Sequence, residues 1–395
     1  MFVNFRRIHK CRCVQLLTTG LFLCAMMVCW EELDHHILSH IKAYTYRYLI
    51  NSYDFLNSSF TIASNNNNIK DGSHSVAGVI RNYTYLINHP DKCGRSRKIW
   101  EDVFLLLFVK SSPENFEQRQ VIRNTWGNES LIASELGVSV KVVFALGMHQ
   151  ELRWRSRVQL ALLQEDQTYD DLIQQNFLDT FHNLTTKLIL QFHWVHDYCP
   201  QAHFFMSADD DVFVHVPNLV KYLRQLVSSK SGAKNLWVGH VHRGSPPDRY
   251  KHSKYHVPYD LYPWPSYPDY TAGAGYVVSA DVASKIYHAT LFLNPSIYID
   301  DVFMGICAKT MGVSPQEHVY FSGEAKTPYH SCVYDHMITS HGHAKDMSSL
   351  WQAATDPKVY SSRGYIGDVY CTAVRAMLLC LPHYQSTYSC MAAFA

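Results

Sequence analysis

The segment FFMSADDDVFVHV (204–216) sets three consecutive acids, Asp209, Asp210 and Asp211, inside a run whose flanks have the composition of buried strand. Each unpaired buried charge is costly, so the triplet is either a solvated turn between two short strands or a metal site at a strand end. A hard divalent cation such as magnesium or manganese takes one or two carboxylates plus substrate phosphates. It would also neutralise a diphosphate leaving group. The chain has no GxxxxGK[ST] loop and no GxGxxG after a strand, so neither a P-loop nor a Rossmann cofactor site is indicated.

Three further constellations carry possible chemistry. Asp300 and Asp301 open the helix-like run IDDVFMGICAKTMG, where they serve the helix terminus or set one carboxylate as a general base near an acceptor hydroxyl. His341 and His343 in TSHGH are surface residues or the completion of a manganese shell. Arg119 and Arg123 in RQVIRNTWG lie four apart on one helix face, as solvated arginines or as partners of a phosphate or base. The stretch 246–276 is rich in proline and tyrosine and long for a loop in a compact domain. It is either a proline-braced hairpin or an aromatic surface for sugar rings.

The elements that must position these residues alternate. Apolar strands are expected at 101–110, 138–147, around 204–208 and at 235–241, since continuous apolar runs suit a parallel sheet covered on both faces. Helices are expected from Ser112 (with Ser112 as cap and Pro113 in the first turn) through Trp126, and over 151–164, 185–199 and 217–226. The alternation argues for an α/β layered domain with a mostly parallel sheet, whose ligands sit outside the carboxyl ends of the strands. The acid triplet falls at such an end.

The chain has 395 residues, with 47% hydrophobic and 17% charged, as in a protein with a real core. A net charge of +1 provides no basic footprint for a nucleic-acid partner. Residues 14–30 are uncharged and would span about 26 Å as a helix. Arg6, Arg7, Lys10 and Arg12 precede them and Glu31, Glu32 and Asp34 follow, which suits a type II signal anchor after a cytosolic tail (1–13). A cleaved signal peptide would need a small-x-small site, which is absent. Residues 31–90 read as a lumenal stem and 91–395 as the folded domain. Asn57, Asn82, Asn128 and Asn183 head N-glycosylation triplets. Seven of the eleven cysteines lie far apart beyond the span, as disulfide formers do, and an odd number leaves at least one thiol free or bridging to another chain.

RQVIRNTWG (119–127), VVFALG (142–147), NLTTK (183–187), ADDDVFV (208–214), YPDYTAGAGYVVS (267–279) and IDDVFMG (299–305) together resemble the Golgi β1,3-glycosyltransferases of glycosyltransferase family 31, in that family's order. The resemblance implies a GT-A-like nucleotide-sugar-binding domain, a UDP-sugar donor and Mn2+. It implies metal ligation by Asp211, Asp209 and His341. Asp301 is implied as base with Asp300 beside it. Asp210, Arg119, Arg123, Trp126 and Lys187 would line or support the donor site. Trp264, Tyr267, Tyr270, Gly273 and Gly275 would form the acceptor side. YRYLINSYDF (46–55) and VHRGSPPDRYKHSKYHV (241–257) are not general family motifs. They resemble one branch of the family, which implies GlcNAc transfer from UDP-GlcNAc, in β1,3 linkage and with inversion, to the terminal galactose of lactosylceramide at the Golgi membrane. A β1,3-galactosyltransferase using UDP-Gal, or a non-catalytic Golgi sugar-binding protein, is the alternative, as is a glycoprotein glycan for the acceptor. Asn176 and Phe181 stand where the family pattern has other residues, a change expected to alter local donor packing.

Overall fold

The computed structural model of the chain describes residues 83–94, 102–229, 233–359, 364–380 and 387–395. The expected span 14–30, the sequons Asn57 and Asn82, and all of the expected stem before residue 83 lie outside the described residues. Among the described residues no helix is long and apolar enough to cross a membrane.

The strands are β1 (Tyr85–Ile87), β2 (Leu105–Lys110), β3 (Val140–Met148), β4 (Leu172–Leu178), β5 (Phe204–Asp209), β6 (Phe213–Val214), β7 (Trp237–His242), β8 (Tyr270–Ser279), β9 (Gln316–Glu317) and β10 (Thr339–Ser340). Eight form one sheet in the order β1-β4-β3-β2-β5-β8-β7-β9, and β6 pairs with β10 in a separate ribbon. The centre, β4-β3-β2-β5, is parallel, while β1 and β8 join antiparallel to either side of it. This is the α/β class, with a mostly parallel centre, expected from the alternation of elements.

The helices are α1 (Phe116–Asn124), α2 (Glu129–Leu136), α3 (Leu152–Tyr169), α4 (Leu184–Tyr198), α5 (Val216–Ser228), α6 (Ala280–Thr290), α7 (Asp300–Thr310), α8 (Ser331–Tyr334), α9 (Met347–Ala354) and α10 (Gly364–Leu379). Alternate residues of β2 explain the continuous apolar run. Leu105, Leu107 and Val109 pack with Ile122, Leu162 and Leu219 of α1, α3 and α5. Leu106 and Phe108 pack on the opposite face with Phe192, Ile286 and Phe303 of α4, α6 and α7. Successive strand side chains point to opposite faces, so a strand covered on both sides has no polar position to offer.

Two expectations need correction. The sheet includes β4, which the sequence reading passed over. Its Gln174 and Gln175 break the apolar run, yet Gln174 is fully buried and donates to the Gly147 carbonyl while sharing amide hydrogen bonds with Gln159. The folded unit also begins before residue 91. Tyr85 pairs with Gln175, the Asn176 side chain accepts from Thr84 N, and Trp194 Nε1 donates to Asn88. The Asn176 side chain therefore serves the β1–β4 edge.

Six cysteines close three disulfides, Cys93–Cys199, Cys332–Cys371 and Cys380–Cys390, and the seventh, Cys307, is a buried free thiol on α7.

Candidate active site

Parallel pairing sets Lys110, the last residue of β2, beside Asp209, the last residue of β5. Lys110 Nζ lies 3.0 Å from Asp209 Oδ1 and donates to Asp300 Oδ2 at 2.7 Å. One buried ammonium thus joins the acid triplet to the acid pair that opens α7. Burial opposes the Lys110 charge, but the Asp209 and Asp300 carboxylates outweigh it and hold the group well above the usual lysine range. Sequence reasoning missed this residue. The available signal was a lysine closing a buried strand, where an unpaired cation is as costly as an unpaired acid.

The three acids separate in role. Asp210 accepts from Ser111 Oγ (2.6 Å) and Asn115 Nδ2 (2.9 Å), and burial pushes its carboxyl up. The Ser111–Asn115 turn is committed to this acid, which is why α1 starts at Phe116 and not at the expected Ser112 cap. Its N-cap, Asn115, makes no side-chain capping bond and instead donates its Nδ2 to Asp210. Asp209 is pushed up by burial, against Lys110, with Asp300 adding to the rise. Asp211 goes the other way: burial would raise it, but His341 holds it below the usual carboxylate range.

The β6–β10 ribbon brings the C-terminal histidine to the triplet. Phe213 pairs with Ser340, and His343 N donates to the Asp211 carbonyl at 2.7 Å. His341 Nε2 then lies 3.5 Å from Asp211 Oδ1, and this contact raises the imidazole pKa. His341 Nδ1 donates to the Glu324 carbonyl at 3.1 Å, which orients the ring with Nε2 toward the acids. One donor atom each from Asp209, Asp211 and His341 lies within 4.8 Å of the others. Two carboxylates and one oriented imidazole fit a divalent cation that keeps open positions for substrate oxygens. His343 is fully buried, shares a hydrogen bond with Ser340 and contacts Asp346, so it braces the ribbon.

Asp300 and Asp301 occupy the first turn of α7, where the helix dipole favours acids. Asp301 Oδ1 accepts from Val302 N at 2.8 Å. Its Oδ2 would lie 3.6 Å from a Cβ placed on Gly273, so the carboxylate lies over the start of β8. Burial first, and then the Asp300 charge, push Asp301 up to about 7 against the pull of Lys110. A carboxylate with that affinity is matched to taking a proton near neutrality. Tyr270 stands beside it, half-buried, its phenol pushed up by burial and by the Asp301 charge.

Several expected site residues are buried, and some of them support the site from beneath. Arg119 is fully buried, donates to Glu165 through two nitrogens at 2.7 Å each, and reaches Ser111 Oγ (3.1 Å) and the Ser112 carbonyl (2.6 Å). It supports the turn that holds Asp210. Arg123 pairs with Asp171 and Glu165 and sits over the rings of Phe144 and Tyr169. Trp126 is buried in the core, with Nε1 on the Met347 sulfur. Lys187 pairs with Asp179 (2.7 Å) and donates to the Ser111 carbonyl (2.7 Å), underneath the same turn. On the acceptor side, Tyr267 is only 4% exposed and offers no face for stacking. Gly275 is buried where a Cβ would press within 3.3 Å of Met206 Cε. The half-buried Trp264 gives its carbonyl to Arg249. Phe181 packs edge-on with Tyr255 and Tyr298, so its substitution bears on the 243–269 loop. Of the described sequons, Asn128 caps α2 through Leu131 N, and Asn183 donates to the Leu178 carbonyl.

The family model described as galactosyltransferase matches residues 117–319, which hold the triplet, the acid pair and both arginines. The chain belongs to this family. Among its relatives, a protein of Danio rerio named lactosylceramide 1,3-N-acetyl-beta-D-glucosaminyltransferase A is 58% identical, with 100% of both chains covered. The Homo sapiens lactosylceramide 1,3-N-acetyl-beta-D-glucosaminyltransferase is 51% identical over 100% of this chain and 99% of that protein. A Xenopus tropicalis relative of the same name is 54% identical over 100% of both.

Proposed function

We propose that the chain is an inverting, metal-dependent transferase that moves GlcNAc from UDP-GlcNAc, in β1,3 linkage, to the terminal galactose of lactosylceramide. The observation that carries the chemistry is Asp301, a carboxylate poised near neutrality and joined through Asp300 and Lys110 to an acid of the Asp209–Asp211–His341 set. The donor and acceptor follow from the names of relatives that match over the whole chain. Asp209, Asp211 and His341 would hold Mn2+, which when bound supplies positive charge beside the departing diphosphate. Asp301 takes the proton from the galactose 3-hydroxyl as that oxygen attacks the anomeric carbon. Lys110 keeps Asp209 and Asp300 in place on either side of the reacting centre, and Tyr270 bounds the acceptor.

The reading of residues 14–30 as a Golgi signal anchor of type II belongs to this proposal. It is supported by the flanking charge asymmetry, by the sequons and by three disulfides, which persist in oxidising compartments.

The test is transfer by the purified full chain to lactosylceramide, with UDP-GlcNAc against UDP-Gal, before and after chelation. GlcNAc transfer that stops with chelator and returns with Mn2+ is the expected result. Preferred galactose transfer would overturn the donor assignment, and transfer that ignores chelator would overturn the cation.

A further inference from the structure

The last residue of β7 pairs with the first of β8, His242 with Tyr270, so the loop between them leaves and re-enters the sheet beside Asp301. Its outer part carries Tyr250, Tyr255 and Tyr259 at 66%, 44% and 68% exposure, together with exposed Lys251 and Lys254. An exposed loop of this length ordinarily has little to hold it. Here Arg249 donates to the carbonyls of Val257 (2.6 Å), Tyr262 (2.7 Å) and Trp264 (3.0 Å), closing the loop on itself. Tyr298 OH donates to the His256 carbonyl at 2.6 Å, and the Lys254 ammonium lies over the rings of Tyr255 and Phe181. The loop is rigid inside and aromatic outside.

We infer that this braced tip, residues 250–259, seats in the phospholipid head-group layer of the membrane that holds the acceptor. Tyrosine suits that layer, since its ring is apolar and its hydroxyl stays wet. Exposed Lys251, next to Tyr250, buries its stem there and keeps its ammonium group at the phosphates. The inference rests on the glycolipid acceptor proposed above: a sugar headgroup stands only a short way above its bilayer, so the wall nearest the base must approach the surface. A tip that touches lipid, set on a base that touches Asp301, would fix the height of the carboxylate over the headgroup. A sugar-stacking role for these tyrosines is the competing use, and it predicts an effect on soluble acceptors too.

The experiment uses the full chain in phospholipid nanodiscs and in detergent, as wild type and as the Tyr250→Ser/Lys251→Glu double variant, neither residue belonging to the catalytic site. Amide exchange over 249–260 is expected to slow in nanodiscs relative to detergent for the wild type, and less for the variant. Turnover on bilayer-embedded lactosylceramide is expected to fall severalfold in the variant, with turnover on a soluble lactoside unchanged. Equal exchange in both media overturns the inference, and so does an equal loss on both acceptors. Absence of wild-type transfer to lactosylceramide would overturn the acceptor assignment on its own, because the exchange comparison reads the lipid contact without it.

Discussion

Replacing Asp301 by Asn keeps the size of the side chain and removes its capacity to take a proton. General base help is worth about 10²–10⁴ in rate, so Asp301→Asn is expected to lose at least about a hundredfold in kcat while UDP binding, followed by calorimetry, is retained. The pH dependence has a definite sign. A carboxyl raised to about 7 is protonated, and so idle, below that value, and turnover should fall as pH drops through it. A cation bound nearby adds positive charge and moves this limb to lower pH, so a limb well above 7 would remove Asp301 from the role. Lys110 fails differently. Lys110→Met leaves Asp209 and Asp300 facing each other without their shared cation, and breaking a buried pair costs about 3–5 kcal/mol. Asp209 is partly open to water, which puts the expected loss at the low end, visible as a lower Tm together with lost turnover. The triplet and the acid pair were legible in the sequence because acids inside apolar runs demand an explanation. Lys110 was not, since a lysine after Leu-Leu-Leu-Phe-Val also reads as a strand simply ending.

At the scale of elements, α7 delivers Asp300 and Asp301 by lying close against β8. Gly305 permits this: a Cβ there would come within 2.9 Å of Tyr270 Cβ and 3.2 Å of the Asp269 carbonyl. Gly305→Ala is expected to cost about 1–3 kcal/mol through overpacking and to lower kcat, with the cation affinity of Asp209, Asp211 and His341 kept. Manganese titration alongside the kinetics would separate the two. The pin between α1 and α3 is the other test. Arg119→Met should destabilise by leaving the buried Glu165 with Arg123 alone, and by loosening the turn that holds Asp210 it should raise the KM for UDP-GlcNAc in the folded fraction. An unchanged donor KM would remove Arg119 from the support of the Asp210 turn. The partners of both arginines could not be named from the sequence for one reason: Glu165 and Asp171 lie more than forty positions away, on α3 and just before β4. Long-range pairing of charges leaves no local pattern, whereas the period of the apolar residues does, and the strands and helices were found from it.

For the molecule as a whole, the sheet order sets Lys110 and Asp209 at the carboxyl ends of two middle strands, and the disulfides lie away from them. Cys93–Cys199 links positions 106 apart in sequence, a loop whose closure is worth about 4–5 kcal/mol in the chain-entropy account. Cys93→Ser/Cys199→Ser should therefore shift the denaturant midpoint downward while kcat of the folded protein holds. Any traction arriving from residues before Tyr83 would enter the fold through β1, the outermost strand on its side of the sheet. It would meet there the hydrogen bonds to β4, and just beyond them the covalent rivet from Cys93 to the end of α4. The acids lie past β3 and β2 from that edge. Load entering at β1 would therefore be borne as shear between β1 and β4, on the far side of β3 and β2 from the acids.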